Sequence, residues 1–281
     1  MWQRLSPWFR AVVVGLIVAG APNLVWGVMA GVNLRLSPAI PWSVAAMGLI
    51  LWWFWRFMTG AGAQPMRRLV PREEIRANPL ASRTWRLALL AGGSGVAAVW
   101  AAFAALRGVL RIAAPSGDLG RVPIAIIALM VLMGSAVAGV AEEAGFRGSM
   151  QRPLERLYGP AVAITVSSVI FTLVHLTHGL RILPFLPFYL AVAVVYGLMA
   201  RLTDSIFPSM TLHFAGDVMM FTMQFLAVRL GAAGGGETGR IAESPALVAV
   251  VLIAVSVFAF RALGRSGRPA PQDSAVAVVG G

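Results

Sequence analysis

The chain has 281 residues, 58% of them hydrophobic and only 12% charged, with a mean hydropathy of +0.79 and a formal net charge of +12. Soluble domains run at about 45–50% apolar and about 25% charged, so this composition excludes a soluble globular domain. The positive charge does not point to nucleic acid: the arginines sit between apolar blocks, where they act as topology signals facing anionic lipid.

The sequence contains no Cys, which rules out disulfides, thiol nucleophiles and thiolate metal sites. All 23 basic residues are Arg, and together with the many Ala, Gly, Val and Pro this reads as codon bias in a GC-rich genome. Only three histidines occur, His175, His178 and His213.

Eight apolar segments follow one another at 11–31, 39–58, 86–106, 122–144, 160–178, 184–200, 206–229 and 245–263. Blocks of about twenty residues match a hydrocarbon core of roughly 30 Å, so the expected fold is all-α: a polytopic transmembrane helical bundle with a cavity inside it. The first segment is read as a retained helix, with cleavage after "AGA" at 19–21 as the alternative. The cluster "WWFWRFM" at 52–58 is expected to form an interfacial aromatic belt, with Arg56 reaching the headgroups. The long connection that follows is expected to be a polar cytoplasmic loop in which Glu73 and Glu74 are solvated. With the N-terminus inside, the inner side carries more than twice as many arginines as the outer side, which predicts both termini in the cytoplasm. Residues 1–263 are read as one integral-membrane domain. The glycine-rich stretch at 231–239 is read as an outer loop, and 264–281 as a disordered tail.

Ionisable residues within membrane segments are the natural candidates for function. Glu142, Glu143 and Arg147 end the fourth segment, His175 and His178 lie in the fifth, and His213 and Asp217 in the seventh. Glu143 and Arg147 stand at i, i+4 in the order that favours an ion pair, whereas Glu142 is turned about 100° away on an α-helix. Arg147 is therefore expected to anchor Glu143, leaving Glu142 free to face a cavity as a general base. Gly159-Pro160 marks a turn between segments four and five. Glu142 precedes Gly159 by nearly the same number of residues as His175 follows it, so antiparallel helices bring the two to one height. That register holds if the turn near Gly159 projects beyond the membrane or if the fourth helix continues intact to about Leu157; the second, with a protruding hairpin, is the favoured reading. His213 and Asp217 share a helix face at i, i+4, as do Phe171 and His175, so that the Phe171 ring supports the imidazole.

The motifs "EEAGFR" (142–147), "FTLVH" (171–175) and "HFAGD" (213–217) occur in this order on successive predicted helices. In this the chain resembles the CPBP family of intramembrane proteases, which includes CAAX prenyl endopeptidases and bacterial abortive-infection and bacteriocin-processing relatives. The resemblance covers about 122–229. It implies that Glu142 and His175 activate a water for attack on a peptide carbonyl, that His213 and Asp217 stabilise the oxyanion, and that Arg147 pairs with Glu143. Asp217 stands where the motif ordinarily has Asn, and an ionised Asp can only accept a hydrogen bond. Either Asp217 is protonated, or it orients His213 as the donor. A third possibility is a divalent metal such as zinc on Glu142, His175, His213 and Asp217. The favoured reading is a glutamate-type protease without a cofactor.

These readings predict a multi-pass protein of a bacterial cell membrane that cuts a membrane-associated peptide or protein near the membrane surface and has no nucleic-acid partner. A catalytically inactive binding or immunity protein on the same scaffold, and an ion or proton transporter using the same residues as a relay, are the competing classes. His178 is assigned to the interface or to support of the site. Ser167 and Ser168 are assigned to helix packing rather than nucleophilic chemistry.

Overall fold

A computed structural model describes residues 5–60, 72–110, 122–229 and 243–266. These residues form eight long helices: α1 (Pro7–Leu36), α2 (Trp42–Met58), α3 (Ser82–Leu110), α4 (Ile124–Tyr158), α5 (Pro160–Val174), α6 (Leu186–Thr203), α7 (Phe207–Arg229) and α8 (Glu243–Ser266). Six of the described helical stretches are long and apolar enough to cross a membrane. The protein is a multi-pass helical bundle. The loop assigned to 231–239, residues 61–71 of the long connection and the tail from 267 onward lie outside the described residues. So do Arg111 and Arg121.

Local sequence explains where the helices begin and turn. Pro7 and Pro160 open α1 and α5 at positions where a missing N–H costs nothing. Gly159, at φ 81°, makes the reversal between α4 and α5, a conformation that only glycine adopts without strain. After Val174 the chain tightens into 3₁₀ turns at His175–His178 and Leu180–Phe185 before α6.

The expectation that the fourth helix runs intact to about Leu157 is met: α4 continues to Tyr158. It is not α-helical throughout. Glu143–Met150 forms a π-helix between two α-helical halves. Wider i→i+5 turns separate successive residues by less than the 100° expected for this stretch, and such insertions gather at functional sites. Arg152 of α4 pairs with Asp204 at the α6–α7 turn, and α4 continues to Tyr158 before Gly159. Glu142 and His213 come to the same height, with Glu142 Oε2 3.8 Å from His213 Nε2.

Helix α1 docks on the π segment almost backbone to backbone. A Cβ added at Gly145 would stand 2.5 Å from the Gly15 carbonyl oxygen and 2.6 Å from Ala19 Cβ. Small residues let helices approach this closely in a bilayer, where close packing replaces the hydrophobic drive. Ala11, Gly15 and Ala19 are the buried face of this part of α1. On the opposite flank, α3, α6 and α8 share a core around Phe103, Phe188, Val192 and Leu263, and Ser256 of α8 donates to the Ala91 carbonyl at 3.0 Å.

The end of the long connection departs from the expected solvated loop. Arg72–Ile75 forms one helical turn, and Ile75 and Arg76 are buried. Arg76 pairs with Glu155 and Asp204, and Arg156 pairs with Glu74 at 2.6 Å. Glu74 is therefore partly buried in an ion pair, not solvated; the Glu73 side chain lies outside the described residues. The reason is Ile75: an apolar side chain carried into the cluster of Phe54, Phe57, Ala144 and Ile206 brings its charged neighbours with it. In the aromatic cluster, Trp52, Trp53 and Trp55 face outward while Phe54, Phe57 and Met58 face the core, and the Arg56 guanidinium lies 5.0 Å above Trp52.

Candidate active site

Glu143 is fully buried, and its Oε1 lies 3.2 Å from Arg147 Nη1, so the i, i+4 pair forms as expected. Arg147 itself is 1% exposed. Its Nη2 donates to the Ala193 carbonyl at 3.2 Å, and its guanidinium lies 4.5 Å from the Phe171 ring and 5.5 Å from Tyr196. Aromatic faces supply negative potential to a cation that has left water, which offsets part of its desolvation.

Glu143 has a second partner that the sequence did not reveal. His213 Nδ1 lies 3.0 Å from Glu143 Oε1, and since a carboxylate only accepts, Nδ1 carries the hydrogen. The residue that orients His213 is therefore Glu143 rather than Asp217. Asp217 Oδ2 stands 3.7 Å from the opposite nitrogen, Nε2, beyond hydrogen-bond range. Glu142 Oε2 approaches that same Nε2 at 3.8 Å. Glu142 and Asp217 thus flank one face of His213 while Glu143 holds the other. Each of the two flanking carboxylates keeps 18% of its side-chain surface open, whereas Glu143 keeps none. A reactant can reach the first two and not the third.

Glu142 is not left without a neighbour. Asn23 of α1 donates from Nδ2 to Glu142 Oε1 at 3.2 Å and to the Ala19 carbonyl at 2.9 Å. Sorting the sequence by ionisable residues passes over an amide, and the separation of 119 residues hides the contact.

His175 opens the 3₁₀ turn after α5, and Phe171 packs beside it at 4.8 Å between ring centroids. Its Nδ1 bonds to the Phe171 carbonyl at 2.8 Å, which leaves Nε2 as the ring atom open to a reactant. The Phe171 ring also lies 6.1 Å from the His213 ring, so one aromatic side chain separates the two imidazoles. Two tyrosines of α6 complete the setting. Tyr189 stacks on His175 at 4.0 Å and Tyr196 on His213 at 5.4 Å. Their spacing of seven residues puts both on one helix face, a signal legible in a chain with only three tyrosines. His178 is exposed, its ring 5.9 Å from that of His175. Ser167 donates to the Ile164 carbonyl of its own helix at 3.3 Å, as a packing serine does.

Among the described residues, no group of three His, Asp or Glu side chains is gathered closely enough to hold a metal ion. The arrangement offers three other capacities. Glu142 provides an open carboxylate, His175 an available Nε2, and His213 a ring fixed by Glu143 with its far nitrogen facing the opening. These are the parts from which water activation and oxyanion binding are built.

A family model described as type II CAAX prenyl endopeptidase Rce1-like matches residues 124–219. The matched stretch contains Glu142, Glu143, Arg147, Phe171, His175, His213 and Asp217, and ends before the last turns of α7. No curated protein and no solved structure matches the chain.

Proposed function

We propose, on the premise that this chain belongs to the CPBP family of intramembrane proteases through residues 124–219, that it is an endopeptidase in which Glu142 is the general base. The observation that carries the reading is the arrangement at His213. Glu142 and Asp217 face Nε2 at 3.8 and 3.7 Å, and Glu143 holds Nδ1 from behind at 3.0 Å.

In the proposed reaction a water donates one hydrogen bond to Glu142 Oε2 and the other to His175 Nε2, which aims its lone pair at the scissile carbonyl carbon. As the new C–O bond forms, the water proton passes to Glu142 and the carbonyl π electrons move onto its oxygen. His213 donates to that oxyanion from Nε2 in its doubly protonated form, with Glu143 and Asp217 as counter-charges. In this reading Asp217, which stands where the motif ordinarily has Asn, need not donate, because the ring beside it does. Collapse of the tetrahedral intermediate breaks the C–N bond, and Glu142 returns its proton to the departing amine. The products are a carboxylic acid and an amine, and the base is restored. One preorganised donor to an oxyanion contributes about 2.7–4 kcal/mol to the barrier reduction.

No step runs through a metal, and the proposal is of the glutamate type. The test is purification in detergent followed by cleavage of a peptide set that includes a farnesylated CAAX peptide, unprenylated CAAX peptides and leader peptides, with wild type and Glu142→Gln. Cleavage that persists in chelator and disappears in Glu142→Gln is the expected result. Cleavage abolished by chelator and restored by zinc would overturn the glutamate-type reading. Wild type that cuts nothing in the set would overturn the protease reading in favour of a binding role.

A further inference from the structure

We infer that Asn23, on the first helix and outside the segment matched by the family model, is a positioning residue that selects which oxygen of Glu142 acts as the base. The inference rests on the proposed role of Glu142 and adds a residue to it.

The geometry divides the Glu142 carboxylate into two unlike oxygens. Oε1 accepts from Asn23 Nδ2 at 3.2 Å, and Oε2 is the atom turned toward His213 Nε2. Without the amide, the carboxylate is free to rotate about its terminal torsion, whose wells are broad and roughly two-fold. With it, one oxygen is occupied and the other is presented to the water.

Asn23 is itself held. The same amide nitrogen donates to the Ala19 carbonyl at 2.9 Å, one turn earlier, so both of its hydrogens are committed and the side chain has one orientation. Pro22 lies inside α1 immediately before it and removes one helical N–H at this point. The docking described above sets the height. Ala11, Gly15, Ala19 and Asn23 recur every four residues on one face, and the Gly15–Gly145 approach fixes that face against the π segment. The close contact of small residues is thus the device that delivers an amide to Glu142, which immediately precedes the π segment.

An Asn inside an apolar helix is a polar group that must find a partner in the bilayer. Here it divides its donors between its own helix and a carboxylate on another. A role confined to helix packing would be served by the first bond alone.

The experiment compares wild type with Asn23→Leu, which keeps the shape and removes the donors, and with Asn23→Ala as a second variant should the first not fold. Glu142→Gln serves to assign the infrared band of the Glu142 carboxyl group by its disappearance. In the full-length protein in detergent, Asn23→Leu is expected to shift that band. It is also expected to lower kcat on a cleaved peptide about 10- to 100-fold with KM changed less than about twofold, the size of loss that misplacement of a catalytic group by about an ångström produces. The thermal midpoint should stay within a few degrees of wild type. An unmoved band, or an unchanged kcat, overturns the inference. If wild type cuts no peptide, the protease reading fails by itself, and the infrared comparison still decides whether Asn23 holds Glu142.

Discussion

Glu143 carries two obligations at once, a buried arginine and a buried histidine on a single oxygen. Removing Arg147 leaves that buried carboxylate only the His213 ring of its two partners, so Arg147→Leu is expected to destabilise the protein by up to about 3–5 kcal/mol. The double variant Arg147→Leu with Glu143→Gln is expected to recover much of that loss, because no orphan charge remains; chemical unfolding in detergent measures both. Glu143→Gln alone replaces an obligatory acceptor with an amide that can turn its NH₂ toward the ring. By analogy with loss of an orienting carboxylate in other hydrolases, kcat is expected to fall at least about 100-fold with little change in KM. The Glu143–Arg147 pair was legible because it is local, fixed by spacing on one helix. Its bond to His213 was not, since 70 residues separate the two and nothing on either helix indicates which acidic residue the ring meets.

The π segment and the helix docked on it form the element on which the site depends. At Gly145 the clearance to α1 is shorter than any side chain allows, so Gly145→Ala forces the two helices apart. The expected cost is about 1–3 kcal/mol of overpacking, together with a fall in kcat as Asn23 withdraws from Glu142. Thermal unfolding and steady-state kinetics on one preparation separate the two effects. The strap at Arg76 gives a graded comparison within one ion network. Arg76 is 3% exposed between Glu155 and Asp204, whereas Arg201 is half exposed and 3.8 Å from Glu155. Arg76→Ala is expected to lower the thermal midpoint clearly, and Arg201→Ala to change stability by no more than about 1 kcal/mol. The order and approximate places of the helices and the turn at Gly159 were readable from apolar runs and glycine chemistry, whereas α1, α3 and α4 run well past their apolar segments. The π geometry was not, because nothing in the local sequence "EAGFRGSM" distinguishes it from an ordinary α-helical stretch.

At the scale of the whole molecule, the arginine bias predicts which side each turn faces, and the absence of cysteine makes that directly measurable. Tyr158, at the α4–α5 turn, and Leu180, between α5 and α6, are both exposed. Leu180→Cys is expected to react with an impermeant maleimide on intact cells, and Tyr158→Cys only after the membrane is opened; the reverse pattern would invert the topology. The sequence by itself determined the class of protein, the positions of the helices and the order of the motif residues. Each of these follows from local quantities: the length of an apolar run, the charge of a connection, the spacing of residues on one helix. Tertiary structure alone decided which of two adjacent glutamates holds His213, that an amide from α1 reaches Glu142, and that Arg76 enters the core. Those are contacts between distant segments, set by how small residues let helices approach, and helical periodicity carries no information about the partner across the gap.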